Sequence, residues 1–152
     1  MKIKKSPLKQ FYAKFNDCLS FFQHTKIISQ NTNKRQFTIE GTLSDSSLSR
    51  TYEIRVEYSG LTSRSPKIYI LNLQTDVPLS QIPHVYGVND DYIQICLTYP
   101  AYVEYRKENV FSESFFLWTV EWLVFFELFE ITNTWFGNGI HLEVKKNENE
   151  NN

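Results

Sequence analysis

TYEIRVEYSG, residues 51–60, is the stretch whose reading decides the fold. Tyr52, Ile54, Val56 and Tyr58 fall on one parity, and Glu53, Arg55 and Glu57 on the other. Successive side chains of a strand point to opposite faces, so this alternation specifies a strand with one buried and one wet face. Upstream, FTIEGTL (37–43) places Phe37, Ile39 and Leu43 on one side. Downstream, PKIYILNLQ (66–74) sets Ile68 and Ile70 against Tyr69, Leu71 and Leu73. The connections are short and rich in Ser, Asp and Gly, so the three strands form an antiparallel meander with one buried face.

The segments around the meander have helical spacing. Leu8, Phe11, Phe15, Leu19 and Phe22 predict a first helix over residues 7–28, capped by Ser6 with Pro7 at its first position. SQNTNKR (29–35) reads as a polar loop. Thr75 to Asp91 reads as a long irregular stretch; such loops in compact domains often carry function. Pro100 to Ser114 also reads as irregular. A strongly aromatic helix is expected over 115–134, with Gly137 and Gly139 as its stop signals. Within SFFLWTVEWLVFFELFEI (114–131), Glu121, Glu127 and Glu130 would be costly in hydrocarbon, so this helix is expected to be buried in protein rather than in a membrane. Residues 1–144 are expected to form one domain and KKNENENN (145–152) a disordered tail. The layout is α+β, with helices packed on an antiparallel sheet.

Composition excludes some functions. With 12 Phe, 9 Tyr and 3 Trp there is ample bulk for a core. The net charge of −1 provides no basic field to gather phosphates, which argues against nucleic acid as a direct ligand. His24, His84 and His141 are scattered and the cysteines, Cys18 and Cys96, lie far apart, so no metal-ligand spacing occurs. There is no Gly-rich phosphate loop, and no cofactor is implied. The N-terminus has positive charge without an apolar signal core, and a reduced, cytoplasmic protein is the expectation.

Cys18 sits within the first helical pattern and reads as a packed thiol. Cys96 is different in context. It follows a polar turn (Gly87, Asn89, Asp90, Asp91) and a β-favouring run (Tyr92, Ile93, Ile95). By residue type alone, a buried strand thiol is the favoured account of it.

The order of helix, β-meander, extended loop with a cysteine, and further helix resembles the ubiquitin-conjugating enzymes over roughly residues 7–135. IEGTL, YEIRVEYSG and SPKIYIL are similar to that family's meander, and ICLTYP (95–100) resembles its Ile-Cys-Leu motif. WTVEWLVFFELFEITNTWFGNGIH (118–141) is similar to the ending of stand-alone bacterial relatives found in CBASS anti-phage operons. The resemblance implies a ubiquitin-conjugating-enzyme-like fold and a thioester on Cys96. The acyl donor it implies is the C-terminus of a protein partner, either a cyclic-dinucleotide synthase or a ubiquitin-like protein. It implies onward transfer to lysine.

The family's His-Pro-Asn is missing. Asn89 lies seven residues before Cys96, near where the family's Asn falls, and is the candidate oxyanion donor; it is also a good turn residue. Asp90 and Asp91 are candidates to orient and deprotonate the incoming amine. His84 is either a loop residue or, with Cys96, the base of a cysteine hydrolase or isopeptidase. A free thiol has a pKa of about 8.5, which suits attack on an already activated acyl group. An inactive binding module on the same fold is the remaining alternative.

Overall fold

The computed structural model describes residues 6–61, 65–97 and 111–137. Helix α1 spans Pro7–Phe21, followed by strands β1 (Gln23–Asn31), β2 (Gln36–Leu43), β3 (Tyr52–Ser59) and β4 (Lys67–Leu71). A short hairpin, β5 (Val85–Val88) and β6 (Tyr92–Ile95), precedes the long helix α2 (Phe115–Thr132). The six strands form one antiparallel sheet in the order β1-β2-β3-β4-β6-β5. The layout is α+β: an N-terminal helix, an antiparallel sheet and a C-terminal helix.

The alternation in β2, β3 and β4 is realised in full. Phe37, Ile39 and Leu43, Tyr52 to Tyr58 on one parity, and Ile68 and Ile70 are all buried. Ile93 and Ile95 extend the same face onto β6. Across it, Gly41, Ile54, Ile70 and Ile93 lie in one cross-strand row. The opposite face is polar. There Arg55 meets Glu40 at 2.7 Å and the Tyr69 hydroxyl donates to Glu57 at 3.3 Å.

Both helices contribute to one core over the apolar face. From α1, Phe11 packs on Phe37 with ring centroids 6.0 Å apart. Phe22, just past the helix, meets Phe116 of α2 at 4.8 Å. Phe111, in a 3-10 turn before α2, packs edge-on against Tyr58 at 5.6 Å. The aliphatic stem of Lys14 is buried with its ammonium 4.8 Å from the Phe111 ring centroid, where the ring's negative face stabilises the charge.

Several boundaries differ from the sequence expectation. Ser6 does cap α1, its hydroxyl accepting from the Lys9 N–H at 3.2 Å, and Pro7 stands at the first position. The helix ends at Phe21 rather than at 28, and much of the expected loop at 29–35 belongs to β1 or its turn. β1 is an edge strand with irregular register, exposed on both faces, so it carries no alternation to read. Ile27 and Ile28, at a break in the register, are 46% and 44% exposed. The stretch 75–91 is not structureless: it holds a 3-10 turn and β5. Helix α2 is closed by Asn133 in the left-handed conformation, its N–H returning to the Phe129 carbonyl at 2.8 Å, rather than by a glycine. Gly139, the segment 98–110 and the tail 145–152 lie outside the described residues. Among the described residues no helix is long and apolar enough to cross a membrane.

Gly41 explains where α1 must stop. A β-carbon there would lie 2.9 Å from the Phe22 β-carbon and 3.1 Å from the Gln23 carbonyl oxygen. The chain leaving α1 crosses β2 at this point, and only a hydrogen fits. We expect Gly41→Ala to cost roughly 1–3 kcal/mol through overpacking. Urea unfolding should show a lower midpoint with an unchanged slope; an unchanged midpoint would mean that the crossing is looser than described.

Candidate functional site around Cys96

Cys96 is the first residue beyond β6, and its position follows from the hairpin register. Val85 pairs with Ile95, so His84 falls opposite Cys96. The Cys96 N–H donates to the His84 carbonyl at 2.9 Å. The same oxygen accepts the indole N–H of Trp122 at 3.2 Å. One carbonyl therefore joins the open end of the hairpin to the middle of α2. His84 takes a left-handed backbone, φ 55°, to aim it.

A small cleft, with room for about one water molecule, opens at this junction. Cys96, His84 and Leu97 border it from the sheet side. Trp118, Glu121, Trp122 and Phe125 border it from α2. These four are spaced i, i+3, i+4, i+7 and so share one helical stripe. Trp135 and Gly137 close it beyond the helix end. The Trp135 ring lies 5.6 Å from the His84 ring and 5.3 Å from that of Trp122. Trp122 in turn stacks on Phe126 at 5.6 Å.

The two cysteines differ sharply. Cys18 is fully buried, and burial, reinforced by the Asp17 carboxylate, pushes its thiol far above the ordinary range. Cys96 is only half-buried and lines an open cleft. Only a thiol that meets solvent and can ionise is a useful nucleophile.

The structure brings together some of the sequence-derived candidates and separates others. His84 and Cys96 meet at the cleft. Asn89, Asp90 and Asp91 lie at the opposite tip of the hairpin, roughly 13 Å along β6 at about 3.3 Å per residue. Asn89 organises that tip: its side-chain oxygen accepts from the N–H groups of Asp91 at 2.8 Å and Tyr92 at 2.9 Å. Its own N–H donates to the Tyr92 carbonyl at 2.9 Å. This is the local capping that suits Asn to turns. Sequence distance to the cysteine misleads here because a hairpin sends its turn away from its open end. Conversely, Glu121 and the three tryptophans border the cleft although they are distant in sequence. A carboxylate within an otherwise aromatic helical stripe was the available signal for Glu121. His141 lies outside the described residues, and among those described no group of three or more metal-ligating side chains converges.

The model of the family described as Type II CBASS E2 protein matches residues 18–142, which is most of the chain. The chain belongs to that family, whose members are E2-like proteins of an anti-phage system. The match includes Cys96, the whole sheet and α2. No curated protein and no solved structure matches it.

Two outcomes follow from the site geometry. Native protein treated with iodoacetamide should take one equivalent, at Cys96, and a second at Cys18 only after denaturation; peptide mapping decides, and comparable native labelling of Cys18 would contradict its burial. Trp122→Phe removes the indole donor from the His84 carbonyl and should lower stability by about 1 kcal/mol. It should also change the native alkylation rate of Cys96, because the loop end that holds the thiol loses its tie to α2.

Proposed function

We propose that this E2-like protein carries an acyl group as a thioester on Cys96 and transfers it to a lysine, on a ubiquitin-conjugating-enzyme-like scaffold. The observation that carries this reading is the partly exposed Cys96 at an open cleft within the span matched by the family. The acyl donor in this reading is the activated C-terminus of a partner polypeptide, the cyclic-dinucleotide synthase of the anti-phage system. It arrives as a thioester or acyl-adenylate, so the thiol displaces a good leaving group and needs no strong base of its own.

His84 is the proposed oxyanion donor, because it borders the same cleft as Cys96. Loss of one such donor typically costs about 3 kcal/mol in the transition state. Asn89 supports the hairpin tip in this scheme, and Asp90 and Asp91 remain available at that tip to a partner rather than to the thiol.

A second reading, an inactive binding module, is favoured by one observation. The Asn89 side-chain oxygen is engaged in its turn, at the far end of the hairpin from the thiol. Co-expression with the synthase separates the two readings. Intact-mass measurement should give a species heavier by the synthase minus water, released by thiols and lost in Cys96→Ala. Full-yield, thiol-releasable adduct in Cys96→Ala would end the carrier reading. Undiminished phage protection by Cys96→Ala, with no adduct in the wild type, would select the binding module.

A further inference from the structure

The sheet forks beside Cys96. Strand β4 begins at Lys67 and β6 runs to Ile95. Their ladder, however, covers only Tyr69–Leu71 against Tyr92–Gln94. Continued, the same register sets Lys67 against Cys96. The ladder has ended by then, and a second pocket, of about 170 Å³, lies at the fork. Ile68, Ile95, Leu97 and Phe115 line it with buried side chains, and the exposed Tyr86 and Lys67 border it. Leu97 lines this pocket and the Cys96 cleft alike. An apolar cavity of about 150 Å³ holds a benzene molecule, so the space admits one large apolar side chain. Lys67 lies across from Glu57, but that carboxylate accepts from the Tyr69 hydroxyl at 3.3 Å. Among the described residues Lys67 forms no ion pair. Apolar walls with one unneutralised ammonium suit an apolar group with a carboxylate near it.

We propose that the fork is a side-chain pocket for the tail of the acyl donor: it takes an apolar residue just before the donor's C-terminus, and Lys67 takes an acidic residue further up the tail. The inference rests on Cys96 carrying the acyl group, and it adds which tails are carried well. The thioester fixes the donor's last carbonyl at the sulfur. The pocket wall begins at the neighbours of Cys96, Ile95 and Leu97. An extended tail advances about 3.3 Å per residue, so roughly the third residue from its end reaches the pocket. Side chains alternate along an extended chain, so the residue two positions earlier points the same way and meets Lys67. A tail with serine and lysine at those places gains neither contact. It reaches an equally reactive thiol but is held there less.

The test uses the whole chain and no partner. Acetylated hexapeptides ending in glycine are supplied as mercaptoethanesulfonate thioesters, with leucine or serine third from the end and aspartate or lysine fifth from the end. The Cys96 sulfur attacks the thioester carbonyl carbon, the new C–S bond forms and the old one breaks, and mercaptoethanesulfonate leaves with the proton that the thiol has lost. Cys18, fully buried, stays out of the exchange. The rate of adduct formation, read by intact mass, is divided by the rate of the same peptide with glutathione, which removes intrinsic reactivity. In the wild type leucine should exceed serine roughly ten-fold. Aspartate should exceed lysine roughly three-fold. Tyr86→Ser opens one wall and should cut the leucine advantage to roughly two-fold, with the serine peptide unchanged. Lys67→Glu should reverse the preference for aspartate. Equal rates for leucine and serine in the wild type overturn the pocket and leave the acyl carrier standing. A leucine advantage undiminished in Tyr86→Ser lies elsewhere on the surface and also overturns the pocket. A wild type that forms no adduct with any peptide overturns the carrier, and the tail pocket with it. Should Tyr86→Ser fail to fold, the wild-type leucine ratio and Lys67→Glu decide.

Discussion

The carbonyl oxygen of His84 is the point on which the site depends. It accepts two hydrogen bonds, from the Cys96 N–H at 2.9 Å and the Trp122 indole at 3.2 Å. To present it, a non-glycine residue holds a left-handed backbone, which costs roughly 1–2 kcal/mol. Two hydrogen bonds at about 1 kcal/mol each offset that cost. The asymmetry is larger than the sum, because an indole N–H left unpaired among Phe126 and Trp135 would carry a desolvation penalty of about 1–3 kcal/mol. This oxygen therefore couples the sheet edge to α2. The cysteine takes its place as a consequence.

That coupling works only if α2 itself is fixed, and apolar burial alone fixes it poorly. The helix is apolar nearly all round: it buries Phe115, Phe116, Trp122, Leu123, Phe126 and Phe129, yet leaves Leu117 and Ile131 exposed. Hydrophobic contact is non-directional, so such a helix has little to choose its rotation. Two carboxylates supply the choice. Glu127 accepts the Tyr52 hydroxyl at 2.6 Å and the Ser49 N–H at 2.9 Å. Burial and this hydrogen bond to a carboxylate push the Tyr52 hydroxyl far above its ordinary range, so it stays a donor throughout the physiological range. Glu130 accepts the Thr75 hydroxyl at 2.8 Å and pairs with Arg50 at 2.9 Å. The ion pair is partly exposed and adds little by itself. Its value is directional. With Glu127 and Glu130 turned to the loops beyond β2 and β4, the stripe through Trp118 and Glu121 is turned to the thiol.

How much of this was legible in the sequence follows from how each element earns its stability. β2, β3 and β4 each bury one face against helices, so their burial is written as alternation and could be read directly. The same holds for the capped start of α1. β1 is stabilised by pairing with β2 and by the glycine that lets it cross, and neither leaves a periodic trace. β5 is four residues long at the other edge, with Tyr86 63% exposed, and is equally faint. At the site, the place of Cys96 at the end of a β-favouring run was legible, while nearness in sequence was no guide to which polar residues stand near it in space. The residues next to the thiol in space come from a helix about 25 positions later, and no local pattern ties the two segments together. Only the register that sets His84 against Cys96 does so.

The contrast between the two thiols bears on how an aromatic cleft would suit the proposed carrier role. Cys18 shows what full burial does: its thiol is pushed out of the range in which it ionises. A site that excluded water to that degree would disable its own nucleophile. One fully open to water would lose a thioester to hydrolysis. Cys96 stands between these limits, half-buried, with indole and phenyl rings on the helix side and solvent at the mouth. Rings exclude water by bulk while their faces still admit a cation. On the proposed carrier chemistry, that combination limits hydrolysis of the thioester. In that reading the placement of Cys96 against this helical stripe draws on the His84 carbonyl, which accepts from both the Cys96 N–H and the Trp122 indole.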